Sequence, residues 1–132
     1  MGSIVDRVWA DLHERVGDDL RVVTRCETRK FETRMREDVR ERYSEEEDRA
    51  IVDDAIVRQL GLFDTERRFE AGPLEANVNV FEQAWVIAWP DHLPGKSGVI
   101  VSIQRDGDVA TIRDVEDCLR YLDEEVGPIL GE

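Results

Sequence analysis

The sequence predicts an α+β domain in which a single antiparallel sheet of five strands carries helices on both faces. The period of the hydrophobic residues changes along the chain in the order α-β-β-α-β-β-β-α. Two of the strand segments, 84–89 and 98–103, are apolar at nearly every position, which is typical of strands covered on both faces. The helices also need both faces of one sheet to bury their apolar stripes. We therefore expect one domain over residues 1–132.

Length and composition agree with one soluble domain. A chain of 132 residues buries roughly two-thirds of its unfolded surface around one core. The segment "MGSIVDRVWADLHERV" has no apolar run of signal-peptide length, and no later segment reaches the ~18 apolar residues of a membrane helix. We expect a cytoplasmic protein without a membrane segment. Cys26 and Cys118 occupy apolar positions, so we expect two reduced core cysteines.

The first half of the chain predicts a helix and then a β-hairpin. Ser3 and Asp6 resemble a capping box, and Gly17 stands where a left-handed cap would end the helix. Apolar residues recur at helical spacing between them, with Trp9 inward: Ile4, Val5, Val8, Trp9, Leu12 and Val16. In the hairpin, which turns near Thr28, alternation places two sets on single faces: Leu20, Val22 and Cys26, then Phe31, Thr33 and Met35.

The middle of the chain predicts a helix that restarts. A helical period begins at Asp38, and the Ser44–Glu47 capping box starts a second helix that runs to Leu60. Its apolar stripe comprises Ile51, Val52, Ala55, Ile56 and Leu60. Residues 62–73 show no clear period and are interpreted as a connection.

Three strands and a helix complete the prediction. The segment "LEANVNVF" alternates as an edge strand does, whereas "AWVIAW" and "GVIVSI" are expected in the centre of the sheet. Thr111 is expected to cap a last helix that ends at Gly127-Pro128. Its apolar stripe comprises Val115, Cys118, Leu119, Leu122 and Val126.

The element order and the chain length resemble the roadblock/LC7 fold. That resemblance implies the strand order 2-1-5-4-3, with one helix on one face and two on the other. It would place "KFETRMR" and "LEANVNVF" at the edges, as their alternation requires. Because no specific motif accompanies the layout, profilin-like and PAS-like sheets stay open as alternatives.

A closer resemblance in sequence points to a saline habitat. The stretches "GDDLRVV", "FETRMREDVRERYSEEE" and "LEANVNVFEQAWVIAWP" are similar to small haloarchaeal proteins of unknown function. The chain has 31 acidic against 18 basic residues, and Lys30 and Lys96 are its two lysines. Such a surface is typical of proteins in molar salt, where repulsion between carboxylates is screened. An acidic mesophilic protein from a GC-rich genome is the alternative.

The residues give little support to catalysis, a metal or a cofactor. The "PGKSG" segment at 94–98 is followed by the strand "GVIVSI", so a hairpin turn is favoured over a phosphate-binding loop, which needs a helix there. His13 and His92 are interpreted as surface residues, and the cysteines lack zinc-site spacing. We expect a protein that is not an enzyme and has no cofactor and no metal.

Charge segregation in the hairpin supports the leading hypothesis, a non-catalytic adaptor. Residues 21–42 hold eight basic and five acidic residues in a chain of net charge −13. The predicted patch that would dock an acidic protein partner comprises Arg21, Arg25, Lys30, Arg34 and Arg36. The alternative is that these residues form ion pairs with acids of the helices.

Two further hypotheses concern assembly and ligands. The edge strand is expected to form a homodimer through Ala76, Val78 and Val80, because unprotected edges tend to pair. Trp85 and Trp89 share one strand face, which allows a small-ligand sensor as the second functional candidate. A transcription-associated regulator is the third, although the net negative charge disfavours nucleic acid.

Overall fold

The computed structural model describes residues 3–27, 30–59, 68–91 and 97–130. Five strands form one antiparallel sheet in the order β2-β1-β5-β4-β3. Their bounds are β1 Leu20–Cys26, β2 Phe31–Met35, β3 Asn77–Val80, β4 Ala84–Pro90 and β5 Gly98–Gln104. The helices are α1 Ile4–Val16, α2 Glu37–Arg40, α3 Glu45–Gln59, α4 Ile112–Tyr121 and α5 Gly127–Leu130. The predicted fold class and strand order are confirmed.

The first face of the sheet carries α1 and α4 over a packed core. Val23, Val101 and Ile87 lie beside one another across β1, β5 and β4, and each is fully buried. Both helices add apolar side chains to this core: Val5, Val8, Leu12 and Val16 from α1, and Val115 and Cys118 from α4. We call this side of the sheet the first face.

The second face carries α3, and the cluster of buried residues described there is smaller. Cys26 and Ile100 form that cluster, with Phe31 and Val86 partly buried against it. Of the predicted α3 stripe, the structure describes the side chain of Ile51, which is 44% exposed. The predicted positions Leu60 and Gly61 lie outside the described residues. No helix in the described ranges is long and apolar enough to cross a membrane.

The predicted caps at the helix starts are confirmed, and the cap that ends α1 differs from the prediction. The Ser3 hydroxyl accepts a hydrogen bond from the amide of Asp6 at 3.1 Å. Gly17 ends α1 with a φ of 55°, but its ψ of −136° lies outside the left-handed helical region. Ser44 and Glu47 exchange reciprocal hydrogen bonds at the start of α3, at 3.2 and 3.3 Å. Thr111 and Asp114 form the equivalent box before α4 (Ile112–Tyr121).

The predicted alternation in β1 is wrong at its first residues. Leu20 pairs with Ile103 and Val22 pairs with Ser102, so β1 advances by two residues where β5 advances by one. This bulge places Leu20 on the first face and Val22 on the second, whereas strict alternation put them together. The bulged residue is Arg21.

The predicted end of the last helix is also wrong. The chain continues from α4 through a π-helical segment, Leu122–Val126, into α5. The wider turn changes the hydrogen-bond register, so Pro128 falls in the first turn of α5, where its missing N–H costs little. The hairpin turn near Thr28 lies outside the described residues.

Candidate functional site

The predicted basic patch is divided by the structure, and Arg25 belongs to a buried ion pair. Its Nη1 donates to Asp91 Oδ2 at 2.8 Å and to the carbonyl of Gly98 at 2.9 Å. The side chains are 11% exposed for Arg25 and 2% for Asp91, and the Ser97 hydroxyl also donates to Asp91. A docking patch requires an exposed Arg25, so the prediction is wrong for this residue.

Three other members of the predicted patch are paired with acids near them. Arg34 lies over the ring of Trp9 at 4.9 Å and forms an ion pair with Asp6 at 3.3 Å. Lys30 pairs with Glu27 at 3.5 Å, and Arg36 pairs with Asp38. These contacts correspond to the ion-pair alternative.

The β1 bulge turns Arg21 away from Arg25 and leaves it beside Arg36. Its side chain lies on the second face, where Nη1 donates to Gln104 Oε1 at 3.2 Å. The same oxygen accepts from Arg36 Nη2 at 3.1 Å. Within the described residues, the five predicted basic residues therefore form no single docking surface.

The paired tryptophans also have a structural position. Trp85 and Trp89 face the first-face core, with exposures of 6% and 2%. Trp89 Nε1 donates to Asp123 Oδ1 at 2.7 Å, which satisfies the indole. Their rings therefore pack in the core beneath α4, and this burial gives no support to a ligand site on the aromatic rings.

A large cavity lies instead on the second face, with a volume of about 650 Å³. Its floor is formed mainly by small and branched apolar side chains of the two central strands: Ala84, Val86, Ala88 and Ile100. Ile51 of α3, Cys26 of β1 and Phe81 after β3 add apolar surface. The polar lining includes Asn77 and Asn79 of β3, together with Arg21, Arg42, Tyr43 and Ser102. A mostly apolar cavity of this size is typical of small-molecule sites.

A smaller cavity of about 110 Å³ adjoins the large one. The two share Arg21, Tyr43, Ile51, Val86, Ile100 and Ser102, and the smaller one adds Asp48 of α3. Asp48 is 5% exposed; its Oδ2 accepts from Arg40 Nη2 at 2.8 Å. Asp48 Oδ1 and Arg21 Nε are both buried and have no hydrogen-bond partner.

These two atoms distinguish the second face chemically. Buried polar atoms in proteins almost always have partners, because an unpaired one costs about 1–3 kcal/mol. Here the residue with an unpartnered donor, Arg21, and the residue with an unpartnered acceptor, Asp48, both line one small cavity at the side of an apolar one. The arrangement provides hydrogen-bonding positions for the polar end of a bound molecule.

Charges and burial shift two pKa values at this site. Burial lowers the pKa of Arg21, and repulsion from Arg36 and Arg42 lowers it further. Burial raises the pKa of the Cys26 thiol to about 11. The thiol therefore stays protonated at neutral pH and is a poor nucleophile. Cys26 contributes packing to the cavity.

The remaining predicted groups lie elsewhere. His13 is half-exposed on α1, 3.4 Å from Asp18, and His92 lies outside the described residues. Cys118 of α4 is buried in the first-face core. A search of the described residues finds no group of three histidine, cysteine or acidic side chains that would hold a metal ion.

The predicted dimer strand is short and lies at the sheet edge. Ala76 and Val78 are partly buried against the first-face core. Val80 is 58% exposed and Phe81 is 56% exposed. No strand among the described residues pairs with the outer side of β3.

Comparison with protein families gives one match, between residues 6–123 and the Domain of unknown function (DUF7522). The chain belongs to the DUF7522 family. The match covers all five strands and most of the helices, and it agrees with the resemblance to proteins of unknown function. No curated protein and no solved structure matches the chain. The site of this DUF7522 domain is therefore interpreted from its own geometry.

Proposed function

We propose that this DUF7522 domain is a non-catalytic sensor that binds a small organic molecule on the second face of its sheet. The observation that carries the proposal is the pairing of an apolar cavity with two unpartnered buried polar atoms, Arg21 Nε and Asp48 Oδ1. A ligand that meets both features gains apolar burial and hydrogen bonds at the same site.

The site favours binding over chemistry. The Cys26 thiol is held neutral by burial, and Ser102, the serine that lines both cavities, has no described histidine beside it. The apolar floor and the few polar groups suit recognition of a ligand with one polar end. These features support the sensor over the adaptor, because the basic residues on which the adaptor hypothesis depended are divided between two faces and four of them are in ion pairs.

Binding of the neutral fluorophore phenylnaphthylamine tests the proposal. We expect saturable binding to the native protein, and we expect Ala88→Phe, which places a ring in the large cavity, to weaken it about tenfold or more. The matched control is Ile112→Phe, at a position on α4 that is 64% exposed and lines neither cavity. It should bind like the native protein.

Amide chemical shifts locate the bound fluorophore without any substitution. Shifts confined to Val86, Ala88 and Ile100 would support the proposal, since these residues line the large cavity. Absence of binding, or shifts centred on first-face residues such as Val101, would contradict it.

The exposed edge supports a second proposal, a homodimer through β3. Val80 and Phe81 leave large apolar side chains in solvent beside a strand with no described neighbour on its outer side. We expect light scattering at tens of micromolar to show a dimer that Val80→Lys converts to a monomer. Val109→Lys, at a position 54% exposed outside the sheet, is the control. A native monomer would contradict the dimer without affecting the cavity.

The acidic composition supports a cytoplasmic setting of high salt, as in haloarchaea. Carboxylates far outnumber basic groups, and molar KCl would screen their repulsion. The binding experiments are therefore designed in molar KCl as well as at low salt.

A further inference from the structure

The ligand class follows from the charges at the polar end of the cavity. Resting on the proposed function, we propose that the ligand is an organic acid with an apolar body, whose carboxylate is bound by Arg21. The apolar body lies on the floor formed by Val86, Ala88 and Ile100. The acid group lies toward the small cavity, which Arg21 and Asp48 both line.

The hydrogen bonds of Arg21 leave one side of its guanidinium for a ligand. Nη1 donates a hydrogen bond to Gln104 Oε1, whereas neither Nε nor Nη2 has a hydrogen-bond partner among the described residues. Nε–H and Nη2–H point in nearly parallel directions along the same edge of the planar group. That edge matches the two oxygens of a carboxylate, which arginine binds in this bidentate manner.

The surrounding charges favour an anion at this position. The guanidinium groups of Arg36 and Arg42 are close enough to Arg21 to repel it, and among the described residues Arg42 has no ion-pair partner. A carboxylate would relieve this repulsion. Among the acids that line the two cavities, Asp48 is paired with Arg40, and the side chains of Asp54 and Glu82 are exposed.

Asp48 adds a second requirement near the carboxylate. Its free Oδ1 accepts a hydrogen bond, so it suits a hydroxyl or amine of the ligand, or a water molecule that bridges to it. A carboxylate alone would be repelled by an unpaired Asp48, but Arg40 compensates that charge at 2.8 Å. Arg21 Nε and Asp48 Oδ1 together favour an acid that has a hydrogen-bond donor next to its carboxylate.

Two fluorophores with one skeleton test the proposal. Anilinonaphthalene sulfonate carries an anionic group that phenylnaphthylamine lacks. We expect the native protein to bind the sulfonate about tenfold more tightly, the effect of one charge-assisted hydrogen-bond contact. Arg21→Gln should remove that preference, so that the two fluorophores bind the variant with equal affinity. Arg113→Gln, an exposed change of equal charge on α4, should retain the preference.

Competition and salt give readouts of the carboxylate itself. Dodecanoate should displace the bound sulfonate at a concentration about tenfold lower than dodecanol does, and Arg21→Gln should abolish that difference. The preference should persist in molar KCl, because salt screens exposed charges more than buried contacts. Circular dichroism in the near ultraviolet checks that each variant retains the native packing.

The possible failures are distinguishable. If phenylnaphthylamine binds in the cavity but the two fluorophores bind equally, the acid proposal is overturned and the proposed function stands. If Arg113→Gln weakens the sulfonate as much as Arg21→Gln does, attraction by net charge explains the preference and the acid proposal is again overturned. If neither fluorophore binds, the proposed function itself fails.

Discussion

The two faces of the sheet differ in how completely they are packed. On the first face, Val23, Val101 and Ile87 are fully buried beneath α1 and α4. On the second face, Ile100 and Cys26 border cavities of about 650 and 110 Å³. The same strands provide both surfaces, so the difference arises from what covers them. Among the described residues, the first face therefore has the closer packing, and the second face has the cavities on which the proposed function rests.

The polar groups show the same contrast. On the first-face side, Tyr121 donates to Asp11 at 2.6 Å, Trp89 donates to Asp123, and Arg25 donates to Asp91. On the second face, Arg21 Nε and Asp48 Oδ1 are buried without partners. Other polar atoms of the second face are paired, as Thr24 is with Thr33 at 2.8 Å. The two unpartnered atoms are therefore exceptions, and because an unpaired buried atom weakens the fold, they support the proposed site.

The largest expected effect compares two arginines of the same strand. Arg25→Gln should lower the free energy of unfolding by about 3–5 kcal/mol, because it removes the cation from a buried ion pair with Asp91. Arg21→Gln should change it by about 1 kcal/mol or less, since the guanidinium has one neutral hydrogen bond and two like charges near it. Urea denaturation of both variants measures the difference.

The exposed Lys30→Gln provides the baseline for that comparison. Lys30 is 81% exposed in its pair with Glu27, so its substitution should be close to neutral. Equal losses for Arg25→Gln and Arg21→Gln would remove the distinction between the two faces.

A second comparison uses two isoleucines on adjacent central strands. Ile87→Ala on the first face should lower the free energy of unfolding by about 2–5 kcal/mol, since it leaves a cavity inside a close-packed core. Ile100→Ala on the second face should cost less, about 1–2 kcal/mol, because that side chain already borders empty space. Thermal unfolding of the two variants in one buffer measures the difference in stability, and a larger loss of stability for Ile100→Ala would contradict the comparison.

The sequence predicted the layers of the fold because its local signals agree with one another. The continuous apolar runs at 84–89 and 98–103 became the central strands β4 and β5, and the alternating segments became edges. The Ser3, Ser44 and Thr111 caps mark the helix starts correctly, because each cap depends on residues within one turn.

The candidate site was not predicted, because it depends on features without a local signal. The bulge that turns Arg21 to the second face is set by the register between β1 and β5, which are about 80 residues apart in sequence. Asp48 stands in the acidic run "EEED", which alone indicates a solvated helix start. Burial of its carboxylate follows from the position of α3 on the sheet. The predicted basic patch needed Arg21 and Arg25 on one face, and the bulge between Leu20 and Val22 places them on opposite faces.

The smallest expected effect concerns the two thiols, one on each face. Burial raises the pKa of Cys26 to about 11 and that of Cys118 to about 12, above the ordinary thiol value of 9.0. Because the unfolded thiol ionises at lower pH than the folded one, the stability from each thiol is complete below pH 9 and is lost as the pH rises toward its folded pKa. At pH 10 each thiol should account for about 1 kcal/mol of lost stability.

Urea unfolding at pH 8 and pH 10 of Cys118→Ala, Cys26→Ala and the double variant separates the two contributions. We expect the pH-dependent loss to decrease in both single variants and most in the double one. If Cys26→Ala retains the whole pH-dependent loss of stability while Cys118→Ala reduces it, water reaches the Cys26 thiol through the large cavity. The second face would then be hydrated at a position that is now interpreted as apolar.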